Sequence, residues 1–424
     1  GTVIKTIERS NWDNLEKVTE YGLTTTRQVT YYNDADEQGM NEIISYPDGS
    51  SETNSYYGGI LELSSHSTLG ETAFTYDGLN RLASASKNDG GTNVSTTYLY
   101  DAKGNVISET TKFNNSNSRV TSRTFDKMGR LISESLPGGR VITYTYTVKG
   151  TIASIDGYGT YKQLYTHERG LVKTMTTYQN ESTPEVTTWN YNQDGMLISK
   201  VYADNNSVTY SYSNGRLSQR KWANNITTNY SYNAAGDITG ITYDSTPDIS
   251  CVYDRRGRMV QVTDGAGTRT LSYTVQNLPD TESLPYYGNR YIKYEYDSCN
   301  RRSAVKVINT TDGGQETTEY QVNYTYDAMS RLASISGLNK TATYSRLNES
   351  NRISSVNFGS DYPTVNYSYD SKLRLQSKGL WNRFYTDKDE VGYMTQTGNI
   401  TMPNTLDWYN YHDSKGQLTQ SVNG

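Results

Sequence analysis

The stretch Phe74-Thr75-Tyr76-Asp77-Gly78-Leu79-Asn80-Arg81-Leu82-Ala83-Ser84 returns later in the chain as Tyr324-Thr325-Tyr326-Asp327-Ala328-Met329-Ser330-Arg331-Leu332-Ala333-Ser334. Looser copies fill the interval between the two and continue beyond it. A short unit copied this often cannot bury its apolar face alone, so the fold must be a stack of such units. That constraint comes before the reading of any single residue.

Each unit reads as a hairpin. The aromatics at 74 and 76 flank a polar β-branched residue, the alternation of a strand with one covered face. Asp77 then opens a turn, and Asn80 stands where other copies have Gly104, Gly129, Gly150, Gly195, Gly236 and Gly257. Asp first and Gly or Asn fourth suit a type I turn followed by a residue of positive φ, which a Cβ resists. Parity then selects the loop. A plain four-residue loop would send Leu82 to the face away from Tyr76. A three-residue loop with a left-handed bulge pairs Asp77 with Arg81 and Tyr76 with Leu82, leaving both apolar residues on one face. The spacing therefore predicts the second loop, with Asp facing Arg at 77/81, 126/130, 254/258, 297/301, 327/331 and 370/374. Each such pair contributes roughly 0.2–1 kcal/mol and mainly sets register. The same parity predicts Arg81 and Arg331 on the face opposite Tyr76, Leu82, Tyr326 and Leu332.

From residue 71 onward the position before each turn reads as Tyr76, Tyr100, Phe125, Tyr146, Tyr165, Tyr191, Tyr212, Tyr232, Tyr253, Tyr273, Tyr296, Tyr326, Tyr344, Tyr369, Tyr393 and Tyr411. An apolar residue recurs at a fixed distance after it, as at Leu82, Val106, Leu131, Leu171 and Leu332. A second aromatic often stands two positions before it, and a serine (Ser84, Ser133, Ser154, Ser199, Ser334) is its predicted cross-strand partner, small against large. Departures cluster at the turns. Tyr212-Ser213-Asn214-Gly215 is one residue short, the turns after Tyr344, Tyr393 and Tyr411 are longer, and Leu373 sits where glycine is wanted, implying a different turn or strain. Return loops such as Asp89-Gly90-Gly91-Thr92 and Asp312-Gly313-Gly314 are Gly-rich reversals. Residues 1–70 are less regular. There, 12–22 reads as strand, loop and strand, 31–39 as a unit with an enlarged turn, and Tyr46-Pro47-Asp48-Gly49-Ser50 as a tight turn. The predicted organisation is diverged repeats over 1–70 and one continuous ribbon over 71–424, almost wholly antiparallel strand.

Composition narrows the function. The chain holds 40 Tyr but only 5 Phe. Its mean hydropathy of −0.78 would suit a disordered chain, yet 12% of its residues are aromatic. Tyrosine must carry the core, its ring covered and its hydroxyl needing a partner. A net charge of −5 and the lack of any basic run longer than three residues speak against a nucleic-acid groove. No apolar run approaches membrane-spanning length, and nothing resembles a signal peptide. Cys251 and Cys299 are too few for a disulfide framework and read as free thiols. His66, His167 and His412 lie far apart and read as isolated surface residues. The carboxylates sit mostly at the first turn position, where Asp bonds its own backbone. Glycine-rich groups lie in hairpin returns, where no helix follows to make a phosphate site. No catalytic, metal or cofactor site is expected, and the chain reads as no enzyme.

The unit Tyr-x-Tyr-Asp-x-x-Gly-Arg-Leu resembles the YD repeat, also called the RHS repeat, of bacterial Rhs and insecticidal toxin-complex proteins, wall-associated proteins and teneurins. Tyr253-Asp254-Arg255-Arg256-Gly257-Arg258 and Tyr100-Asp101-Ala102-Lys103-Gly104-Asn105 match its signature, and Tyr46-Pro47-Asp48-Gly49 matches the segment that often precedes it. The resemblance covers at least residues 71–424. It implies an all-β fold of tandem antiparallel hairpins forming a curved, spiralling ribbon or partial shell, which in the toxins encloses a polypeptide cargo. The residues that carry the repeat are Tyr76, Asp77, Arg81, Leu82, Tyr100, Asp101, Gly104, Asp126, Gly129, Arg130, Tyr253, Asp254, Gly257, Arg258, Tyr326, Asp327, Arg331 and Leu332. The shells of the toxins usually end in a segment built around Asp-Pro that serves self-cleavage, and no such segment occurs here. The implied partner is a polypeptide cargo or the remainder of a larger chain, and the setting is secreted or on a bacterial surface. An adhesion or carbohydrate-binding module using the tyrosine-rich face is the alternative. The chain starts at Gly1 and stops shortly after Gly416, and so reads as a piece of something longer. Strands about 4.8 Å apart make a ribbon roughly 150 Å long, hence about one turn of a spiral on the order of 50 Å across with tyrosines on its concave side, or a tighter roll. Unpaired strand edges make an edge-to-edge oligomer the expectation.

Overall fold

The structure, a computed structural model, describes residues 5–10, 14–34, 37–179, 183–244, 246–311, 313–360, 362–379, 381–385, 391–396, 408–412 and 418–423. Among the described residues lie 38 strands and one 3-10 turn, Pro285–Tyr287, with no α-helix. Every strand pairs antiparallel with the next in sequence, from Lys5–Ser10 with Leu15–Glu20 to Trp408–His412 with Leu418–Asn423. The molecule is thus one all-β meander of tandem hairpins. Pairing runs unbroken across residue 70, where Ile60–His66 joins Gly70–Tyr76.

The turns follow the parity argument. Tyr76 pairs with Leu82, the Asp77 N–H donates to the Arg81 carbonyl at 2.9 Å, and Asn80 takes φ 58°. One irregularity beyond the turn has no mark in the sequence. Thr75 pairs with Ser84, so Ala83 is an extra residue, a bulge directly after the apolar position. A one-residue slip exchanges the faces of everything that follows. The serines therefore do not face the second aromatic. Phe74 faces Ala85, Tyr144 faces Ile155, Trp189 faces Lys200 and Tyr324 faces Ile335. Ser133 pairs with Thr124 and Ser199 with Asn190. Elsewhere hydroxyl meets hydroxyl: Thr75 and Ser84 at 2.7 Å, Thr145 and Ser154 at 2.6 Å, Thr325 and Ser334 at 2.7 Å.

The residue before the turn is not always the tyrosine. His167 pairs with Val172 and Glu168 with Leu171 around the two-residue turn Arg169-Gly170, displacing Tyr165 and Leu171 from the expected pairing. Arg346, not Tyr344, precedes its turn and pairs with Ile353. Tyr385 pairs with Val391, which puts Tyr393 on the returning strand, and His412 pairs with Leu418 in place of Tyr411. Leu373 keeps the ordinary turn, its N–H on the Asp370 carbonyl at 2.9 Å with φ 58°, so the departure is strain and not a different turn. Near the start, Asp34 pairs with Glu37, which leaves no room for an enlarged turn over 31–39. A single strand, Leu15–Glu20, occupies the stretch read as strand, loop and strand. Trp12, Ala35, Asp36, Asp312 and Gly416 lie outside the described residues.

Alternation of cover is clear along strands such as Gly70–Tyr76 and Arg140–Tyr146, whose tyrosine-bearing face is half-buried and whose other face is exposed. Among the described residues full burial is rare, confined for apolar side chains to Val29, Phe113, Val208, Val262, Ala304, Ile308 and Val356. The accessible surface is 25830 Å², where a compact protein of 47.7 kDa would show about 16,000 Å². A single layer accounts for that excess.

The layer nevertheless meets itself. The return at Pro47-Asp48, after the fourth strand, touches turns that follow the twenty-seventh and twenty-ninth strands through Cys299 and Ser330. One winding therefore takes about 24 strands, or about 115 Å of ribbon and on the order of 37 Å across. This is tighter than the expected 50 Å, because the 38 strands complete more than one and a half windings instead of one.

Candidate functional site

Four local devices build the two edges of this ribbon. The first is the turn clamp. Asp77 Oδ1 accepts the N–H groups of Leu79 and Arg81 at 2.9 and 3.0 Å, while Oδ2 accepts Arg81 Nε at 2.7 Å. Asp126 with Arg130, Asp254 with Arg258 and Asp327 with Arg331 repeat this geometry. At Asp101 the partner is Asn105, whose Nδ2 lies 2.8 Å from Oδ2. The Arg81 guanidinium and then the Arg81 N–H hold the Asp77 carboxyl below its ordinary value. At Asp126 the Arg130 N–H comes first in the same direction. Gly104, Gly129 and Gly257 supply the positive φ each clamp needs, at 88°, 82° and 76°.

The second device joins consecutive hairpins. The Tyr76 hydroxyl donates to the Leu61 carbonyl at 2.7 Å, Tyr100 to Leu82 at 2.7 Å, Tyr253 to Ile238 at 2.9 Å and Tyr326 to Arg302 at 2.9 Å. Where Arg346 replaces the tyrosine, its Nη1 reaches the Leu332 carbonyl at 2.9 Å and does the same job. The position asks for reach and a donor, not for tyrosine as such. The third device caps the ring. Arg81 lies over Tyr100 at 4.4 Å, Arg130 over Tyr146 at 4.7 Å, Arg258 over Tyr273 at 4.6 Å and Arg301 over Tyr326 at 4.7 Å. The Arg81 head thus lands against a tyrosine and not on the far face expected for it. Its position at the hairpin end and its long stem let it fold around onto the next ring. Arg331 has no ring to meet and turns to the Ser350 carbonyl at 2.8 Å.

The fourth device is a seam, where turn ends of the second winding rest on return ends of the first. Arg352 Nη1 pairs with Asp89 Oδ2, the side chains 32% and 11% exposed. The Gly90 N–H donates to the Asn348 carbonyl at 3.0 Å. Ser330 Oγ donates to Asp48 Oδ2 at 2.6 Å and accepts from Arg301 Nη1 at 3.0 Å. The Cys299 thiol donates to the Pro47 carbonyl at 3.1 Å, and Asn300 Nδ2 to the Tyr21 carbonyl at 3.4 Å. Gly70 takes φ 73°, which favours glycine, and packs against the carboxyl end of the Glu349 side chain. Burial opposes charge on Asp89, but Arg352 and Ser350 overcome it and hold the carboxyl below its ordinary value. Burial likewise opposes charge on Asp48, with Ser330 and Ser50 reversing the outcome.

The repeat residues read from the sequence all fall in the first three devices, and none of them by itself marks the seam. Its signals were small: Ser330 and Glu349 carry positive φ of 56° and 52° where Gly or Asn is usual, and the turn 347–352 is one residue longer than 77–81. His66 and His167 are half-buried, and the side chain of His412 lies outside the described residues. His66 Nδ1 accepts the Thr68 N–H at 3.2 Å, while His167 and His412 occupy the place before a turn. Cys251 and Cys299 are free thiols. Among the described residues no three His, Cys, Asp or Glu side chains gather as a metal would need, and no helix is long and apolar enough to cross a membrane.

No family model matches the chain, and no curated protein does. Among solved structures, similarity extends over nearly the whole chain. The TcdB2-TccC3-TEV crystal structure is 11% identical over 95% of this chain and 31% of that chain, with a TM-score of 0.47. TcdB2-TccC3 gives 11%, 95%, 31% and 0.43, and the Photorhabdus luminescens Tc holotoxin pore gives 11%, 99%, 30% and 0.41. The chain spans about a third of the length of the chains it is similar to, and likeness at TM-scores below 0.5 does not define a family.

Proposed function

We propose that this chain is a non-catalytic wall segment of an RHS/YD-repeat shell that encloses another polypeptide. The seam is the observation that carries the reading. A ribbon that merely displays a surface has no use for joining its own edges, whereas a wall must. Arg352 with Asp89, Ser330 with Asp48 and Gly90 with Asn348 do that joining. With the tyrosine face inward, a winding on the order of 37 Å across leaves about 25 Å clear once side chains are allowed for. That admits an extended or loosely folded chain more readily than a folded domain. Both stretches, 1–70 and 71–424, belong to the same wall in this reading, the first as diverged repeats. A secreted or bacterial-surface setting accords with it.

The competing readings are disfavoured by what the side chains already do. Rings that stack a sugar need a bare face, yet Tyr100, Tyr146, Tyr273 and Tyr326 carry arginines on theirs and use their hydroxyls internally. Carboxylates that hold turns together are poorly placed to move protons. A flexible, trypsin-sensitive polypeptide joined after Gly424 tests the proposal. It is expected to be cut at least tenfold more slowly than the same polypeptide free in solution, with protection lost in Arg352→Glu. Equal cleavage rates for the joined and free polypeptides would overturn the shell reading.

A further inference from the structure

In the seam, the tip residues of the covering turns are half-buried: Cys299 and Met329. At the same third turn position outside the seam Leu79 and Met128 stand in solvent, 74% and 79% exposed, and Val148 and Val275, at the second position of their turns, are 107% and 72% exposed. Met128 and Met329 are the same residue at the same turn position, so the difference is due to cover alone. The first winding therefore leaves apolar side chains exposed on three of four consecutive turns, at Leu79, Met128 and Val148, with Lys103 on the turn between the first two.

The opposite rim matches it. Return ends outside the seam carry Tyr286 and Tyr287, 79% and 64% exposed on the 3-10 turn, their rings edge to face at 6.2 Å. Leu338 at 75% and Tyr362 at 56% stand on the second and third returns beyond it, past the polar return between Thr310 and Glu316. Solitary exposed apolar residues are ordinary, but a row of them along one edge marks a contact surface. Within the molecule, a turn rim already sits on a return rim, one winding apart.

We propose that the open turn rim bearing Leu79, Met128 and Val148 docks a second copy of this chain through that copy's open return rim, which bears Tyr286 and Tyr287. The occupant is a second copy because the seam shows that this chain's return edge accepts this chain's turn edge. The contact is head-to-tail, so each copy keeps one rim free and association continues beyond the dimer. It rests on the geometry of the seam and holds whether or not the winding contains a cargo.

Sedimentation velocity of the whole chain between micromolar and hundred-micromolar concentrations provides the test. Concentration-dependent dimers and longer species are expected. Two rim variants then separate the surfaces. One is Leu79→Asp with Met128→Asp and Val148→Asp. The other is Tyr286→Ser with Tyr287→Ser. All five side chains are exposed, and circular dichroism should match the parent in both variants. Each variant alone is expected to associate at least tenfold more weakly, while an equimolar mixture forms dimers and nothing larger, because one intact rim of each kind remains. A parent chain that stays monomeric throughout would overturn the proposal. So would association that survives both sets of substitutions, as pairing of end strands would give, or a mixture that remains monomeric.

Discussion

The copies at 74–84 and 324–334 are nearly the same sequence in nearly the same fold. Tyr76 pairs with Leu82 as Tyr326 pairs with Leu332, both Asp carboxylates clamp an arginine at 2.7 Å, and the fourth turn residues share positive φ, 58° and 56°. Their surroundings differ. Leu79 is exposed, and Arg81 lies over the ring of Tyr100. Met329 is half-buried in the seam, Ser330 reaches Asp48, and Arg331 finds Ser350 and Asn351 because the next hairpin offers Arg346 where a ring would be. The hairpin's own chemistry is thus indifferent to place. What a hairpin does for the ribbon is decided by a residue or two at the turn tip and by the neighbour that curvature brings against it.

The broadest test of that indifference is acid. Asp77 and Asp327 are both held below the ordinary carboxyl value, the first chiefly by Arg81 and the second by Arg331 against the opposing effect of burial. A carboxyl lowered on folding stabilises the fold above its unfolded value of about 3.9, and that stabilisation is lost as pH falls through the folded value. Asp48 and Asp89 in the seam are lowered too. Both copies and the seam should therefore hold between pH 8 and 5 and fail together below about pH 4, as far-ultraviolet circular dichroism and thiol labelling of Cys299 would report. Opening of the seam above pH 5, read as Cys299 labelling that speeds up on acidification relative to a free thiol at the same pH while the strand signal stays constant, would show that the seam titrates separately. At the alkaline end Tyr291, pushed up to about 12 by burial and then by Glu316, contributes stability that is lost as pH rises from 10 through 12.

Arg352→Glu should separate the two copies. It sets a carboxylate against Asp89, whose side chain is 11% exposed, and breaking such a pair costs about 3 kcal/mol when one partner is left uncompensated. Hydrogen exchange at the Gly90 amide, bonded across the seam, should accelerate by about a hundredfold. The Asn80 amide, bonded within its own turn, should hardly change. Equal acceleration at both would mean that the seam and the hairpins open as one unit, and the contrast between the copies would fail.

What could be read in advance follows the same division. The turn was legible because Asp, Gly or Asn, and Arg at fixed spacing leave one parity that keeps Tyr76 and Leu82 together. The serine partners were not, because Ala83 enters as a bulge and nothing about an alanine announces one. Arg81 was misplaced because a strand argument locates a Cβ, whereas its guanidinium acts several bonds away. His167 and Arg346 were hidden by a search for tyrosine, though at Arg346 the position asks only for reach and a donor. The seam lay furthest from view. It depends on small twists summed over about 24 strands, and no local pattern encodes that sum.

The smallest expected effect is the most discriminating. At φ near 57° glycine is unstrained, so Asn80→Gly should alter stability by no more than about 0.3 kcal/mol. Ser330→Gly removes a Cβ from the same conformation, a relief of about 1 kcal/mol, and removes the Ser330–Asp48 hydrogen bond, a loss of about 1.5 kcal/mol. Asp48 keeps the Ser50 N–H at 3.0 Å and the Ser50 hydroxyl at 2.6 Å, so its carboxylate is not abandoned. The two terms nearly cancel in overall stability but act in different places, one on the hairpin and one on the seam. The Cys299 thiol sits on the Pro47 carbonyl, next to Asp48, and its labelling rate reports that place directly. Ser330→Gly should raise the rate about tenfold, leave Cys251 unchanged, and shift thermal unfolding by a degree or two at most. Asn80→Gly should leave both thiols as they were. If Ser330→Gly stabilises the chain and Cys299 labels no faster, then the hydroxyl was never holding the windings together, and the two copies differ only in what happens to lie beside them.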